Sequence, residues 1–417
     1  MAGDHGLAVR TSSFGWSAQS AECHPADSAL MDAVPLPSKA TGQVRVAIVT
    51  NIPAPYRLPV YDLLSRETDI ELRVIFCSGR EPDRQWDLTE TVTQHVFLRE
   101  RYATWRGRYI HFNPHVWRVL SRVRPDVVVT TGFNPTHLIA WLYARWRGAA
   151  HVACTDGTSF SEMKLSRLHR MVRRIVYRSS SAFVAASDGG MELYRAYGLD
   201  DRRIFRSPLC AHNSSFAPMS DVAKSYDLLF CGRFVPVKNP VFAIEVARAT
   251  AERIGRRVSI VFVGSGPEEP RMRAAAALAS EHVDAIFAGF ARQSELPRFY
   301  RSARIFLFPT SWDPWGVVAN EACAAGLPVL VTPFAGASNE LIRDGESGHV
   351  LPLDVEAWSA AAARLLSDPA LLVRMGERAR QSVQPYTYGN SAAGLAAAIR
   401  SARNLRQHTG RELDAAH

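Results

Sequence analysis

The sequence predicts an α/β protein built as two tandem domains, each a parallel sheet with crossover helices. Short Val/Ile-rich runs alternate with helical stretches along most of the chain, which is the pattern of strand, helix, strand units. The alternation breaks at Arg206 to Pro218, a stretch of prolines and small polar residues that reads as a linker, and then restarts. With 417 residues, 47% hydrophobic and 21% charged, each half has enough apolar side chains for its own core.

Residues 1–43 are rich in Ala, Ser, Pro, Gly and Asp and lack the apolar run of a secretory signal, so a disordered leader is expected there. Val44 to Thr50 is the first strand, followed by the loop Asn51 to Arg57 and a helix carrying Val60, Leu63 and Leu64. Further strands are expected at Leu72–Phe76, Val127–Thr131, His151–Cys154 and Ala182–Ala185. An open parallel sheet binds its ligand beyond the carboxyl ends of its strands. Asn51–Arg57, Thr131–His137 and Thr155–Glu162 should therefore line one cleft edge. After the linker, strands are expected at Tyr226–Cys231, Ser259–Val263, Ala285–Ala288, Ile305–Phe308 and Val329–Thr332. Helices are expected at Pro240–Ile254, Glu269–Ser280, Ser294–Ser302 and Val317–Ala325.

The 49 basic and 40 acidic residues give a net charge of +9, and the 25 basic and 16 acidic residues from Arg45 to Arg206 account for the excess. Anionic partners are favoured. Lys164, Arg167, Arg170, Arg173, Arg174 and Arg178 come without an intervening acid, with Leu165, Leu168, Val172, Ile175 and Val176 at helical spacing. One helix face should be buried and the other basic. Two readings fit the basic face: ordinary solvation, or docking on an anionic membrane surface at about 1 kcal/mol per basic side chain. Nucleic acid is not expected, because aromatic interleaving and reader motifs are missing. The six cysteines are scattered without a Cys-x-x-Cys pair, which fits reduced thiols in a cytoplasmic protein. His111 and His115 have a metal-like spacing, but Pro114 between them argues against a regular helix, and no metal site is expected.

The chemistry concentrates in Ser311 to Pro328, where a strand gives way to a helix. Asp313-Pro314 sets a turn and Gly316 permits close backbone approach. The unpaired N–H groups of Gly316, Val317 and Val318, after Trp315, can hold a phosphate-type anion. Glu321, more than a turn further on, can reach hydroxyl groups attached to that phosphate, such as those of a ribose. Earlier, Arg233 offers a planar fork and Lys238 a point charge, a combination suited to clamping two phosphates. Gly264 lies in a Gly-x-Gly turn after a strand, and Gly289-Phe290 ends another.

These phrases together resemble the retaining glycosyltransferase family 4. Its hallmark, Glu-Pro-Phe-Gly-x-x-x-x-Glu-Ala-x-Ala-x-Gly-x-Pro-Val, is matched here by Asp313-Pro-Trp-Gly-Val-Val-Ala-Asn-Glu321-Ala-Cys-Ala-Ala-Gly-Leu-Pro-Val329, with Asp313 in place of the first Glu. Gly232-Arg233 and Lys238 resemble the family's Gly-Arg-x-x-x-x-Lys phrase. Thr332 to Ile342 and Asp344 to His349 are similar to further family phrases that shape turns behind the pocket.

The resemblance implies a GT-B fold, with an acceptor-side domain at 44–215, a donor-binding domain at 216–385, and a C-terminal segment at 386–417 whose helix, matched by Asn390 to Arg403, packs back on the first domain before a tail. It implies a glycosyltransferase of hexosyltransferase type that uses a nucleotide diphosphosugar as substrate and no cofactor. Arg233, Lys238, Gly264, Phe290, Trp315, Gly316, Val317, Val318 and Glu321 would bind the donor, with Asp313 on its sugar. Many members carry a His where this chain has Asp156, so Asp156 is read either as the group facing the acceptor hydroxyl or as a helix cap or turn former. Tyr56, Arg57, His137 and Glu162 are the other acceptor-side candidates. A saccharide or lipid-linked acceptor, at the inner face of a bacterial membrane and in cell-surface polysaccharide synthesis, follows from the family's habits. A nucleotide-sugar epimerase of the same fold and a non-catalytic nucleotide-sugar-binding subunit are the alternatives.

Overall fold

The computed structural model describes residues 42–82, 91–105, 108–163 and 165–414. Almost all of the expected leader, Lys164 of the basic run and Cys23 lie outside the described residues. In the first half, the strands are β1 Val44–Thr50, β2 Ile70–Phe76, β3 His95–Phe97, β4 Tyr102–Trp105, β5 Arg108–His111, β6 Val127–Thr130, β7 Ala150–Thr155, β8 Ala182–Ala185 and β9 Ile204–Arg206. The second half has β10 Tyr226–Cys231, β11 Val258–Val263, β12 Val283–Gly289, β13 Ala303–Phe308, β14 Val329–Val331 and β15 Gly348–Val350.

These strands make a seven-stranded sheet in the order β3-β2-β1-β6-β7-β8-β9 and a six-stranded sheet in the order β12-β11-β10-β13-β14-β15. All pairings within both sheets are parallel, and β4 and β5 form a separate antiparallel pair. Parallel strands need both faces covered, which explains their continuous apolar runs. On β1, Val46 and Ile48 face one apolar cluster while Ala47 and Val49 face another. On β10, Leu229 packs with Phe306 and Trp315, and Leu228 with Ile244 and Trp358. The result is two Rossmann-like α/β domains.

In each sheet the chain starts in the middle, builds outward on one side and returns to the other. The order switches between β1 and β6 in the first sheet and between β10 and β13 in the second. Loops diverge at such points and leave a crevice at the carboxyl ends of the strands. The loops after β1, β7, β10 and β13 carry the candidate site.

Three expectations change. Arg206 to Pro218 is no solvated linker: Leu209, Cys210, Ala211 and Phe216 are buried in a core cluster, and Asn213–Phe216 is a short helix. Its prolines mark a change of direction, but its apolar side chains still need cover. The basic helix, Arg167–Ser179, buries only Val176 and Tyr177. Leu168 and Ile175, expected inside, are 63% and 49% exposed, and Met171 beside them is 52% exposed. Finally, the terminal helix runs from Tyr388 to Asp414, longer than expected. Its Leu395, Ala396, Ala398, Ile399 and Ala402 complete the core of the first sheet. No helix among the described residues is long and apolar enough to cross a membrane.

Candidate active site

On the second domain, the loop after β10 enters a single 3-10 turn, Pro236–Lys238, which points Lys238 toward the loop after β13. The Lys238 ammonium pairs with the Asp313 carboxylate and lies 5.3 Å above the Phe308 ring. Asp313 also accepts a hydrogen bond from the Trp315 backbone N–H at 3.1 Å, which closes the Asp-Pro turn. Gly316 then adopts φ 94°, and a Cβ there would lie 2.4 Å from the Phe308 ring. Only glycine brings the chain this close to the aromatic floor under Lys238. The helix Val317–Ala324 starts at Gly316 with no side-chain cap, so its first amides face the crevice that holds Lys238 and Asp313. Gly264, at φ 140°, lets the loop after β11 close on the loop after β10: a Cβ would meet the Gly232 carbonyl oxygen at 2.0 Å.

Glu321 is only 5% exposed. Its carboxylate accepts hydrogen bonds from the Tyr300 hydroxyl at 2.6 Å and the Gln293 amide at 3.4 Å. Burial pushes its pKa up from 4.5 to about 7, against the opposing pull of those two donors. Arg233, in the loop after β10, is half-buried, and Phe290, three positions before Gln293, is 42% exposed.

On the first domain, Arg57 from the loop after β1 pairs with Asp156 from the loop after β7. The turn after β7 is made by other groups: Thr155 accepts from the Gly157 amide at 3.0 Å, and Ser161 accepts from the Thr158 amide at 3.1 Å. The Asp156 carboxylate is thereby turned to Arg57 and, with its side chain 42% exposed, to solvent. Tyr56 packs against the apolar cluster that also holds Trp315 and Phe308. Phe160 stacks on Phe334 at 5.5 Å, and the Asp188 amide donates to Glu340 at 2.8 Å, so the two domains meet along the crevice.

Three candidates are placed elsewhere. His137 is 1% exposed, and neither ring nitrogen has a hydrogen-bond partner among the described residues. Burial drives its pKa from 6.5 to about 3, so it stays neutral inside the first domain and offers no acceptor contact. Glu162 is buried between Arg173 and the Tyr197 hydroxyl, the latter at 2.7 Å, and serves the packing of its helix. Trp315 is 1% exposed; its indole N–H bonds Asn320 at 2.7 Å and its ring stacks on Tyr386, which leaves only its backbone near the crevice. Sequence reading missed Tyr300 and Gln293, the supports of Glu321, and the bond from Arg206 to Glu340 at 2.6 Å across the domain boundary. These partners lie 21 to 134 positions apart, with no local signal to link them.

Among the described residues no group of three or more His, Cys, Asp or Glu side chains could hold a metal ion. His111 bonds Glu81 at 3.1 Å instead. The five described cysteines are free thiols, each pushed up to about 12 by burial.

The sequence model described as "Glycosyl transferase 4-like domain" matches residues 44–210, and that described as "Glycosyl transferases group 1" matches residues 217–382. The chain belongs to the family 4-like glycosyltransferases. As a member of this family it is a transferase enzyme. It is 27% identical over 284 residues to the alpha-D-kanosaminyltransferase of Streptomyces kanamyceticus, covering 67% of each chain. It is 30% identical over 247 residues to the D-inositol 3-phosphate glycosyltransferase of Streptomyces bingchenggensis, covering 56% of this chain and 52% of that one. The chain therefore spans about half the length of the inositol-phosphate relative. Among solved structures, Anabaena HepE (Alr3699) in complex with UDP superposes with a TM-score of 0.68 at 14% identity, over 86% of this chain and 100% of that chain. WaaG, a glycosyltransferase involved in lipopolysaccharide biosynthesis, gives 0.60 at 17% identity, over 85% of this chain and 99% of that chain. The glycosyltransferase thus has the GT-B fold, and its crevice lies where the two Rossmann-like domains face each other.

Proposed function

We propose that the protein transfers a glycosyl group from a nucleotide diphosphosugar, with retention of anomeric configuration, to a saccharide or lipid-linked saccharide. The observation that carries this reading is the convergence of Lys238, Asp313, the uncapped helix start at Gly316 and buried Glu321 on one crevice, opposite the Arg57–Asp156 pair. The donor diphosphate lies against Arg233, Lys238 and the amides of Gly316 to Val318. As the glycosidic bond to the diphosphate breaks, negative charge grows on the leaving oxygen, and two cations and a helix start meet it in place. Glu321 accepts the ribose hydroxyls, Phe290 borders the base, and Asp313 orients the donor sugar. Asp156, held by Arg57, accepts a hydrogen bond from the incoming hydroxyl.

The lipid-linked acceptor has its own support. Exposed Leu168, Met171 and Ile175 share the Arg167–Ser179 helix with Arg167, Arg170, Arg174 and Arg178. Apolar and basic side chains exposed together suit peripheral docking on an anionic membrane. We place the enzyme at the inner face of the plasma membrane, in cell-surface polysaccharide synthesis.

Thermal-shift screening against UDP-, GDP- and ADP-sugars, followed by transfer assays, tests the donor reading. One donor class should raise the melting temperature selectively, and Arg233→Ala and Glu321→Ala should each abolish transfer. Intact transfer in both variants refutes the site. Failure to float with anionic vesicles at low salt refutes the membrane reading alone.

A further inference from the structure

We propose a second anion site, specific for phosphate groups, at the end of the first sheet opposite the active-site crevice. A cavity of about 370 Å³ opens where β1, β6 and β7 begin. The candidate site lies past the ends of the same strands, and the seven residues of β1 alone put about 20 Å between them. The volume falls within the range of small-molecule sites.

Among the described residues, Arg45, Arg124, Arg147, Arg403 and Arg406 line this cavity, with Asp126 as the single acidic one. Asp126 is already committed to Arg45, accepting from its backbone amide at 3.0 Å and its guanidinium at 3.1 Å. Among the described lining residues, the other four arginines share this concave wall with no second carboxylate. Part of that charge answers two helix ends, since Val116–Val123 closes at Arg124 and Pro135–Arg147 closes at Gly148. A helix carboxyl end carries only about half a negative charge, so two of them offset about one arginine. Arg406 spends one donor on the Ala149 carbonyl at 3.1 Å, and Arg403 one on the Gly42 carbonyl at 3.4 Å. Both side chains line the cavity, and burial lowers the Arg406 pKa.

Guanidinium forks match phosphate oxygens in pairs, and like charges gathered in a concavity repel until an anion joins them. A di- or polyphosphate group fits this charge and size. Its binding would bridge the start of β1, the approaches to β6 and β7, and the terminal helix, which alone supplies Arg403 and Arg406. Occupancy therefore fastens that helix to the first domain.

The test uses the full chain carrying Arg233→Ala, which disables the donor crevice, with and without Arg124→Asn and Arg403→Gln. Pyrophosphate is the soluble probe, and vesicles containing phosphatidic acid probe a lipid source. At a hundredfold excess over Kd, pyrophosphate should raise the melting temperature by about 5 °C in the Arg233→Ala protein. The added substitutions should remove that rise while leaving the ligand-free melting temperature equal or higher, since they relieve repulsion. A vesicle-bound fraction that falls with the same substitutions, without a pyrophosphate shift, assigns the phosphate to a lipid headgroup. If those substitutions unfold the chain, Arg147→Gln at the exposed helix end should still weaken binding several-fold. Responses to both probes that these substitutions leave unchanged, or no response to either probe, overturn the site.

Discussion

Donor affinity should titrate with Glu321. Its carboxyl is held near a pKa of about 7 by burial, and ribose hydroxyls donate more strongly to a carboxylate than to a carboxylic acid. The ionised fraction is about one in eleven at pH 6 and ten in eleven at pH 8, a tenfold difference, or about 1.4 kcal/mol. The sign follows directly: binding favours the deprotonated form, so affinity is full above pH 7 and falls as pH drops through it. A nucleotide diphosphosugar is the right ligand, because its phosphodiester groups do not titrate in this range. Calorimetry at pH 6, 7 and 8 should give a dissociation constant that falls about tenfold across the series. Glu321→Gln keeps the shape without the charge; its profile should be flat, with binding at pH 8 weaker by about 1.5–3 kcal/mol. A flat profile in the unmodified protein, or the same slope in Glu321→Gln, would refute the assignment of Glu321 to the ribose.

Gly316→Ala should cost about 2–4 kcal/mol in stability, from positive-φ strain together with collision against Phe308. An unchanged urea midpoint would show that the Phe308 floor yields freely. Asp313→Asn releases Lys238 from its ion pair; nucleoside diphosphate affinity should hold or rise while sugar transfer falls at least about tenfold. Parallel losses in both would assign Asp313 to packing. His137 and His151 are both driven from 6.5 to about 3 by burial. Below pH 6.5 the unfolded chain therefore takes up protons that the native state refuses, and stability drops with pH down to about 3. Between pH 7 and 5, the unmodified protein should lose about 2 kcal/mol more than His137→Gln. Parallel urea midpoints for the two would remove His137 from this account.

Central strands were legible because both faces of a parallel sheet must be apolar: Val44–Thr50, Ala182–Ala185 and Tyr226–Cys231 have the bounds that their composition predicts. Three of the four edge strands, β3, β9 and β15, were not. His95–Phe97 alternates exposed and half-buried positions, and Gly348–Val350 is too short for a pattern. In the site, the helix start at Gly316 could be read locally, whereas the pairing of Lys238 with Asp313 spans 75 positions and that of Arg57 with Asp156 spans 99. Such pairs are fixed by topology, which composition does not record. His137 fails for the opposite reason. It sits in the segment that faces the crevice, but the helix Pro135–Arg147 turns it inward beneath Gly132.

The polypeptide passes between its halves twice, and the two passages run side by side. Ser207 on the outgoing segment bonds both the carbonyl and the hydroxyl of Ser391 on the returning helix at 2.8 Å. Gly394 comes so near Arg206 that a methyl group would lie 1.8 Å from its carbonyl oxygen. A door hung on two adjacent pins can swing but cannot slide. Opening to admit one sugar and release another must then be a rotation about this paired seam, and cutting the chain before Tyr388 would leave the door on a single pin.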